Sequence, residues 1–220
     1  MSPSAPPAAR PSGPSPVQLT IGSFVCVALT LGVLPRYKWG PLLETYFSAL
    51  QLPSPVPEAV PIYVAVDIGQ AYVLWVFNRF LSEVCHYRGA DRTILVVIGV
   101  LCFDVIAMLS LLVSHAPGFQ MYRIPLGLYG LILSYPHFAY FGLGVALIAF
   151  GYSLLRAPDD LGGLLRPYAQ VQIATGAALA APPLSGLWPF AAAAGHALMA
   201  VILFRASVSP ATRLVGVRRR

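Results

Sequence analysis

The clearest indication of the fold comes from residues 93–113, which read TILVVIGVLCFDVIAMLSLLV. Asp104 is the single charged residue in this stretch. A helix of about 20 mostly apolar residues is long enough to cross the ~30 Å hydrocarbon core of a bilayer. The stretch therefore predicts a transmembrane α-helix that carries one acidic side chain at membrane depth.

Five further apolar stretches continue this pattern along the chain, at 17–34, 60–80, 124–150, 167–181 and 187–204. Pro182 and Pro183 separate the last two, because proline interrupts an α-helix. We expect an all-α fold, a polytopic integral membrane helical bundle with six membrane segments within residues 17–206. The stretch 167–181 is short, and it forms either a full span or one arm of a re-entrant hairpin.

The composition is typical of a membrane protein rather than a soluble one. Of the 220 residues, 57% are hydrophobic and 10% are charged, and the mean hydropathy is +0.72. Soluble domains carry about 25% charged residues, and disordered chains are poor in apolar ones. Residues 1–16 differ from the rest because they consist mainly of Pro, Ser and Ala. This segment predicts a disordered tail.

The distribution of Lys and Arg predicts the orientation of the bundle. With six segments, one side of the membrane collects eleven of the fourteen basic side chains, and the other side has Arg36, Lys38 and Arg123. Because basic loops stay cytoplasmic, both termini are expected in the cytoplasm, including the basic tail 207–220. Topology thus accounts for the net charge of +6, and no nucleic-acid partner is expected.

Residues 35–59 are expected on the external side. Within them, Leu42, Tyr46 and Leu50 share one helical face, opposite Glu44. Two interpretations remain open. The segment forms either a short helix in the membrane interface or a helix packed on the outer ends of the bundle.

Three titratable residues within the apolar stretches are candidate catalytic residues: Asp67, Asp104 and His196. An ionisable side chain at bilayer depth costs about 2.5–3.5 kcal/mol on insertion scales, so it indicates a functional site. At a rise of about 1.5 Å per residue, all three lie roughly 10–14 Å below the outer surface. We expect a polar site in the outer half of the bilayer, with the two acids as acid and base and His196 as their proton partner. The structural alternative is that these groups are neutral and only hold the helices together.

Four more residues are candidate ligand-binding residues. Tyr63 and Gln70 project from the same side of their helix as Asp67, at offsets of −4 and +3. A polar stripe of this kind faces protein or water rather than lipid tails. Tyr129 and His137 lie in the fourth apolar stretch and are further candidates for lining the same site.

Small residues recur at helical spacing in the later apolar stretches. The three pairs are Gly142-x-x-x-Ala146, Gly176-x-x-x-Ala180 and Ala191-x-x-x-Gly195. Such spacings are typical of helices that approach each other closely. We therefore expect each pair to mark a close helix crossing.

Several chemistries are excluded by the motifs that the sequence lacks. It contains no P-loop, zinc-protease or nucleophile-elbow motif, and its three cysteines lack metal-binding or redox spacing. Lys38, the single lysine, lies outside the apolar stretches, so a retinal Schiff base within the bundle is excluded. No metal site is assigned, and the cofactor is left undefined.

Three classes of function remain for a protein whose surroundings are a lipid bilayer. The first is an enzyme or binding protein that acts on a lipid-like small molecule. The second is a small proton-coupled transporter that uses the same acids as a relay. The third is an accessory or structural subunit, which would pair with a partner membrane subunit or form a homodimer. The sequence leaves open whether the protein is an enzyme.

Overall fold

The computed structural model describes residues 13–31, 56–114, 126–158 and 163–208. The described residues form six α-helices and one 3-10 helix, and they contain no strand. This confirms the all-α prediction for the described part of the chain. In chain order, the helices are α1 (Pro16–Leu31), α2 (Val56–Glu83), α3 (Asp91–Ser114), α4 (Leu126–Leu154), α5 (Leu165–Ala180) and α6 (Trp188–Val208), with the 3-10 helix Pro182–Leu187 between α5 and α6.

The start of α1 is determined by a capping box. The Ser15 backbone N–H donates to Gln18 Oε1 at 2.9 Å, and the Gln18 backbone N–H donates to Ser15 Oγ at 3.2 Å. These two bonds satisfy backbone donors that the first turn of a helix leaves without partners. Pro16 lies at the first helical position, where its missing N–H costs nothing. The predicted disordered tail 1–16 is therefore wrong at its last two residues, and residues 1–12 lie outside the described ranges.

The helices form a ring in which each helix contacts the next along the chain, from α2 through α6. α1 closes the ring by contacting both α2 and α6. Ser23 Oγ on α1 donates to the backbone oxygen of Ala200 on α6 at 3.0 Å. On the α2 side, a Cβ at Gly69 would lie 3.4 Å from Val25 of α1. The first and last helices are thus neighbours, which leaves an interior surrounded by all six.

The closest helix contact is between α4 and α5, and it depends on glycine. A Cβ at Gly144 would lie 2.6 Å from the backbone oxygen of Gly176, and a Cβ at Gly151 would lie 2.6 Å from that of Ala169. Real Cβ atoms do not approach this closely, so only glycine allows the two backbones to touch. Ala180 belongs to the same contact. The packing predicted from the Gly176-x-x-x-Ala180 spacing is confirmed.

One end of the bundle carries most of the described arginines, and we call it the basic end. The loop between α2 and α3 is fastened there to the last turn of α4, because the Tyr87 hydroxyl donates to the backbone oxygen of Ser153. Burial raises the pKa of the Tyr87 phenol, although the nearby Arg156 guanidinium opposes this shift, and the phenol remains a donor at neutral pH. Thr93 Oγ1 lies 3.1 Å from Ser153 Oγ. The arginines of this end are Arg79, Arg88, Arg92, Arg156, Arg166 and Arg205.

Length and apolar composition single out α6 as the one helix within the described ranges able to cross a membrane. Two apolar helical stretches, Pro16–Leu31 and Tyr140–Leu154, are shorter. α5 has 16 residues, which correspond to about 24 Å. The contacts between successive helices confirm the helical bundle within the described ranges. The arrangement of six membrane segments stays a prediction.

Two parts of the predicted organisation differ from the structure or lie beyond it. Residues 56–59, expected in the external segment 35–59, belong to the first turn of α2. The remainder of that segment lies outside the described residues, so neither interpretation of it is tested. Of the basic tail 207–220, residues 207 and 208 complete α6, and the rest lies outside the described ranges.

Candidate functional site

Asp67 and Asp104 lie on neighbouring helices and line one cavity of about 50 Å³ inside the bundle. Asp67 on α2 is buried, with 4% of its surface exposed, whereas Asp104 on α3 is half-buried. Gln70, Tyr140 and Trp188 complete the polar and aromatic lining, and the remaining walls are Val100, Leu101, Leu143 and Leu179. The structure thus brings together the two acids that the sequence singled out.

His196 lies in an adjoining cavity of about 90 Å³. Gln70 on α2 lines both cavities, and its Nε2 lies 3.4 Å from His196 Nε2 on α6. The other ring nitrogen, His196 Nδ1, is buried and has no hydrogen-bond partner among the described residues. Gln70 therefore connects the cavity of the acids to the histidine, and one imidazole nitrogen has no hydrogen-bond partner among the described residues.

The larger cavity also carries three polar side chains of α5: Tyr168, Gln172 and Thr175. The buried Tyr168 ring packs edge-on against Phe77 of α2 and Phe150 of α4, with centroids 5.7 and 6.2 Å apart. Its hydroxyl interacts with the Gln172 side chain one turn later. Tyr168 therefore bridges helices through its ring and presents its polar tip within the bundle.

These three α5 residues were not among the candidate site residues predicted from the sequence, although their spacing indicates a shared helix face. Tyr168, Gln172 and Thr175 are spaced by four and three residues, the same helical periodicity that identified Gln70 beside Asp67. Gln172 Nε2 also lies close to α6, since a Cβ at Gly195 would be 3.0 Å away. The stripe on α5 is recognisable in the sequence, but its approach to α6 depends on how the helices pack.

The other predicted ligand-binding residues are not tested. Tyr63 lies in α2, and Tyr129 and His137 lie in α4, but their side chains are outside the described part of the structure. Their assignment to the site stays a prediction. Gln70 is the member of that group that the structure brings to the cavities.

The chemistry of the two cavities is acidic and polar within apolar walls. No Lys or Arg is among the described residues that line them. Carboxyl groups accept hydrogen bonds and, when protonated, donate them. The two acids can therefore bind polar groups or a cation. In the described ranges, no three His, Cys, Asp or Glu side chains come close enough to hold a metal ion.

The size of the cavities restricts what they accept. Pockets that bury a drug-sized ligand usually measure about 300–1,000 Å³, and a cavity of about 150 Å³ accommodates benzene. Volumes of about 90 and 50 Å³ therefore suit water molecules or the polar end of a larger molecule. A whole lipid does not fit within the described lining.

Comparison with known proteins adds no family to these observations. The chain matches no protein-family model, no curated protein and no solved structure. The functional argument therefore depends on the geometry of the cavities and on the chemistry of their lining.

Proposed function

We propose that this chain is a multi-pass membrane protein whose interior binds the polar end of a lipid-like small molecule. The six helices would be the membrane segments, and both termini would be cytoplasmic. The observation that carries the binding proposal is that Asp67 and Asp104, from two helices, line one cavity that Gln70 connects to His196.

The membrane placement is supported by the outer surface of the bundle. Large apolar side chains are exposed on five of the six described helices, while Asp67, Tyr168 and Thr175 are buried. Soluble monomers rarely expose contiguous apolar patches larger than a few hundred Å², whereas lipid tails solvate such surfaces well. The exposed residues include Ile21, Phe24 and Leu31 on α1; Leu95, Phe103 and Ile106 on α3; Phe141 and Val145 on α4; and Phe190, Val201 and Phe204 on α6.

The proposed orientation is supported by the basic end. Its arginines belong to the end of α2, the start of α3, the segment after α4, the start of α5 and the last turn of α6. Arg79 also packs its guanidinium over the Trp75 ring, 5.2 Å from the ring centroid. Arginine and tryptophan are both favoured at the membrane–water interface. A cytoplasmic basic end follows from the preference of basic loops for that side.

Membrane placement and orientation can be tested through Cys85, which lies in the loop at the basic end. In a Cys26→Ala, Cys102→Ala background, we expect a membrane-impermeant maleimide to label Cys85 in inverted vesicles and not in right-side-out ones. The protein should also remain in the membrane pellet after alkaline carbonate extraction. Release by carbonate would contradict the membrane placement, and labelling in right-side-out vesicles would reverse the orientation.

The binding proposal assigns a role to each side chain of the site. Asp67 and Asp104 would accept hydrogen bonds from the polar group of the ligand or exchange a proton with it. His196 would accept or return that proton through an intervening water, and Gln70 would orient the imidazole by donating its amide N–H to Nε2. Trp188 and Tyr140 would contact the adjoining carbon atoms, because aromatic side chains combine an apolar face with a polar edge. The apolar remainder of the ligand would extend beyond the cavities.

Native mass spectrometry of protein gently purified from its own membranes tests this proposal. The wild type should carry a non-covalent small molecule, and Asp67→Asn or Asp104→Asn should reduce its occupancy by about tenfold. A loss of one or two charge-assisted hydrogen bonds, at about 1.5–3 kcal/mol each, accounts for such a change. Asp91→Asn is the matched control, since Asp91 begins α3 away from both cavities. Equal occupancy in all three variants would contradict the site.

A proton-coupled transporter is the second candidate, and one specific observation favours it. Polar groups continue from Asp67 through Gln70 to His196, and the same cavity reaches Gln172 and Tyr168 on α5. Chains of acidic and histidine side chains are typical of proton relays in membranes. In proteoliposomes with an imposed pH gradient, this candidate predicts solute uptake that Asp67→Asn abolishes. Binding without uptake would leave the first proposal in place.

A further inference from the structure

An open groove runs along the outside of the bundle between α3 and α4. Its volume is about 270 Å³, and it shares no lining residue with the two interior cavities. The described lining is Arg92, Thr93 and Val96 of α3 and Gly142, Val145, Ala146 and Ala149 of α4. The groove is therefore a separate feature, located on the surface that we propose to face lipid.

Small side chains of α4 leave the space that forms the groove. At the basic end, Thr93 Oγ1 and Ser153 Oγ are in contact at 3.1 Å. About three turns away from Ser153 along α4, a Cβ at Gly142 would meet no described atom within 4 Å. The close crossing predicted from Gly142-x-x-x-Ala146 is therefore wrong at Gly142, which lines the groove instead of contacting a neighbouring helix.

The two ends of the groove differ in polarity. Arg92, in the first turn of α3, is exposed at the basic end, and Thr93 is beside it. From there to Gly142 the described lining is apolar and small, with Val96 and Val145 exposed on the two sides. Seven residues of helix separate Gly142 from Ala149, which gives a length of about 10 Å. The described lining thus reaches about a third of the way into a ~30 Å hydrocarbon core.

We propose that this groove binds an anionic phospholipid, with its phosphate at Arg92 and one acyl chain along Gly142, Ala146 and Ala149. The cationic end lies at the level of the headgroups, and the described apolar lining extends from it into the leaflet on the same side, as an acyl chain does. The Thr93 hydroxyl already donates to the Ala90 backbone oxygen at 2.9 Å, so the Arg92 guanidinium provides the donors for the phosphate. The proposal depends on the membrane placement above and is independent of the interior site.

A second copy of the chain fits this groove less well. A two-fold dimer built on the groove, with its axis along the membrane normal, would bring the two Arg92 side chains to the same level across the interface. Like charges so close together disfavour association. An anionic lipid instead complements the single positive charge at one end.

Retention of lipid on the protein provides the test. The protein is transferred into nanodiscs of equal parts phosphatidylglycerol and phosphatidylcholine, and the lipids that stay bound on release are identified by native mass spectrometry. We expect the wild type to retain phosphatidylglycerol about fivefold over phosphatidylcholine, the factor expected for one basic residue near an anionic surface. Arg92→Gln should reduce this preference to about one. Gly142→Leu should fill the groove and lower the retention of both lipids.

The control is Arg205→Gln, which removes an exposed arginine in the last turn of α6 at the same end of the bundle. It should leave the lipid preference unchanged. A loss of preference equal to that of Arg92→Gln would overturn the proposal, because the effect would then be a general property of the basic end. Full lipid retention by Gly142→Leu would overturn it too, as would conversion of a wild-type dimer to a monomer by that variant. Carbonate extraction reveals separately whether the membrane placement itself has failed.

Discussion

The α4–α5 contact and the α3–α4 groove are both lined by small residues, but the helices touch at the contact and leave open space at the groove. At the α4–α5 contact, a Cβ at Gly144 would lie 2.6 Å from a backbone oxygen, so glycine is required there. Gly142, half a turn away on the same helix, meets nothing within 4 Å. The small-residue spacing therefore permits a close approach without specifying which neighbour makes it. The face of α4 on which each glycine lies decides between contact and groove.

The largest effect is expected for Gly176→Ala at the α4–α5 contact. Its Cβ would collide with the Gly144 backbone oxygen and lie 2.9 Å from the Ile148 backbone nitrogen, and neither atom can move without shifting a helix. Overpacking of this kind costs about 1–3 kcal/mol, and we expect the upper end of that range. Thermal unfolding in detergent, followed by circular dichroism, measures the change. Wild-type stability would contradict the proposed backbone contact.

An intermediate effect is expected for Gly195→Ala, where α6 approaches α5. The new Cβ would lie 3.0 Å from Gln172 Nε2, which is the far end of a flexible side chain. Rotation of that side chain relieves the clash, so we expect a loss of about 1 kcal/mol at most, offset in part by the higher helix propensity of alanine. The same unfolding assay applies. A loss as large as that of Gly176→Ala would mean that Gln172 is held rigidly by its contacts with the cavity.

Tyr87→Phe tests the attachment of the α2–α3 loop to α4 at the basic end. The substitution removes the hydrogen bond to the Ser153 backbone oxygen, with an expected loss of about 1 kcal/mol. Because this bond fastens the α2–α3 loop to α4, amide hydrogen exchange should become faster in residues 84–90 and in the last turn of α4. Tyr152→Phe, which alters an exposed neighbouring residue, is the control. Unchanged exchange in the loop would show that other contacts hold it.

The smallest effect, with the opposite sign, is expected for Gly142→Ala. A methyl group has open space there, and alanine is favoured over glycine in a helix interior by about 0.5–1 kcal/mol. We therefore expect a slight rise in the unfolding temperature in detergent. A destabilisation approaching that of Gly176→Ala would mean that the groove is closed by a neighbour in the folded protein.

The interior site shows how far sequence reasoning extends. The depth estimate predicted that Asp67 and Asp104 lie at a similar depth in the membrane, and helical periodicity predicted that Gln70 lies on the same side of α2 as Asp67. The structure has both acids in one cavity with Gln70 beside them. The α5 residues Tyr168 and Gln172 were missed because a polar stripe on one helix does not reveal the helix that it faces. His196 adjoins the acids through Gln70 rather than joining their cavity.

Local periodicity, composition and backbone chemistry were enough to predict the helical class, the break at Pro182 and Pro183, and the shared side of Asp67 and Gln70 on α2. The contact of α1 with α6, and the different surroundings of Gly144 and Gly142, could be seen in the folded structure alone. Contacts between helices depend on the rotation of each helix about its axis and on the shapes of side chains far apart in the chain. The spacing of residues within one helix gives neither the rotation of that helix nor the shapes of the side chains that it meets.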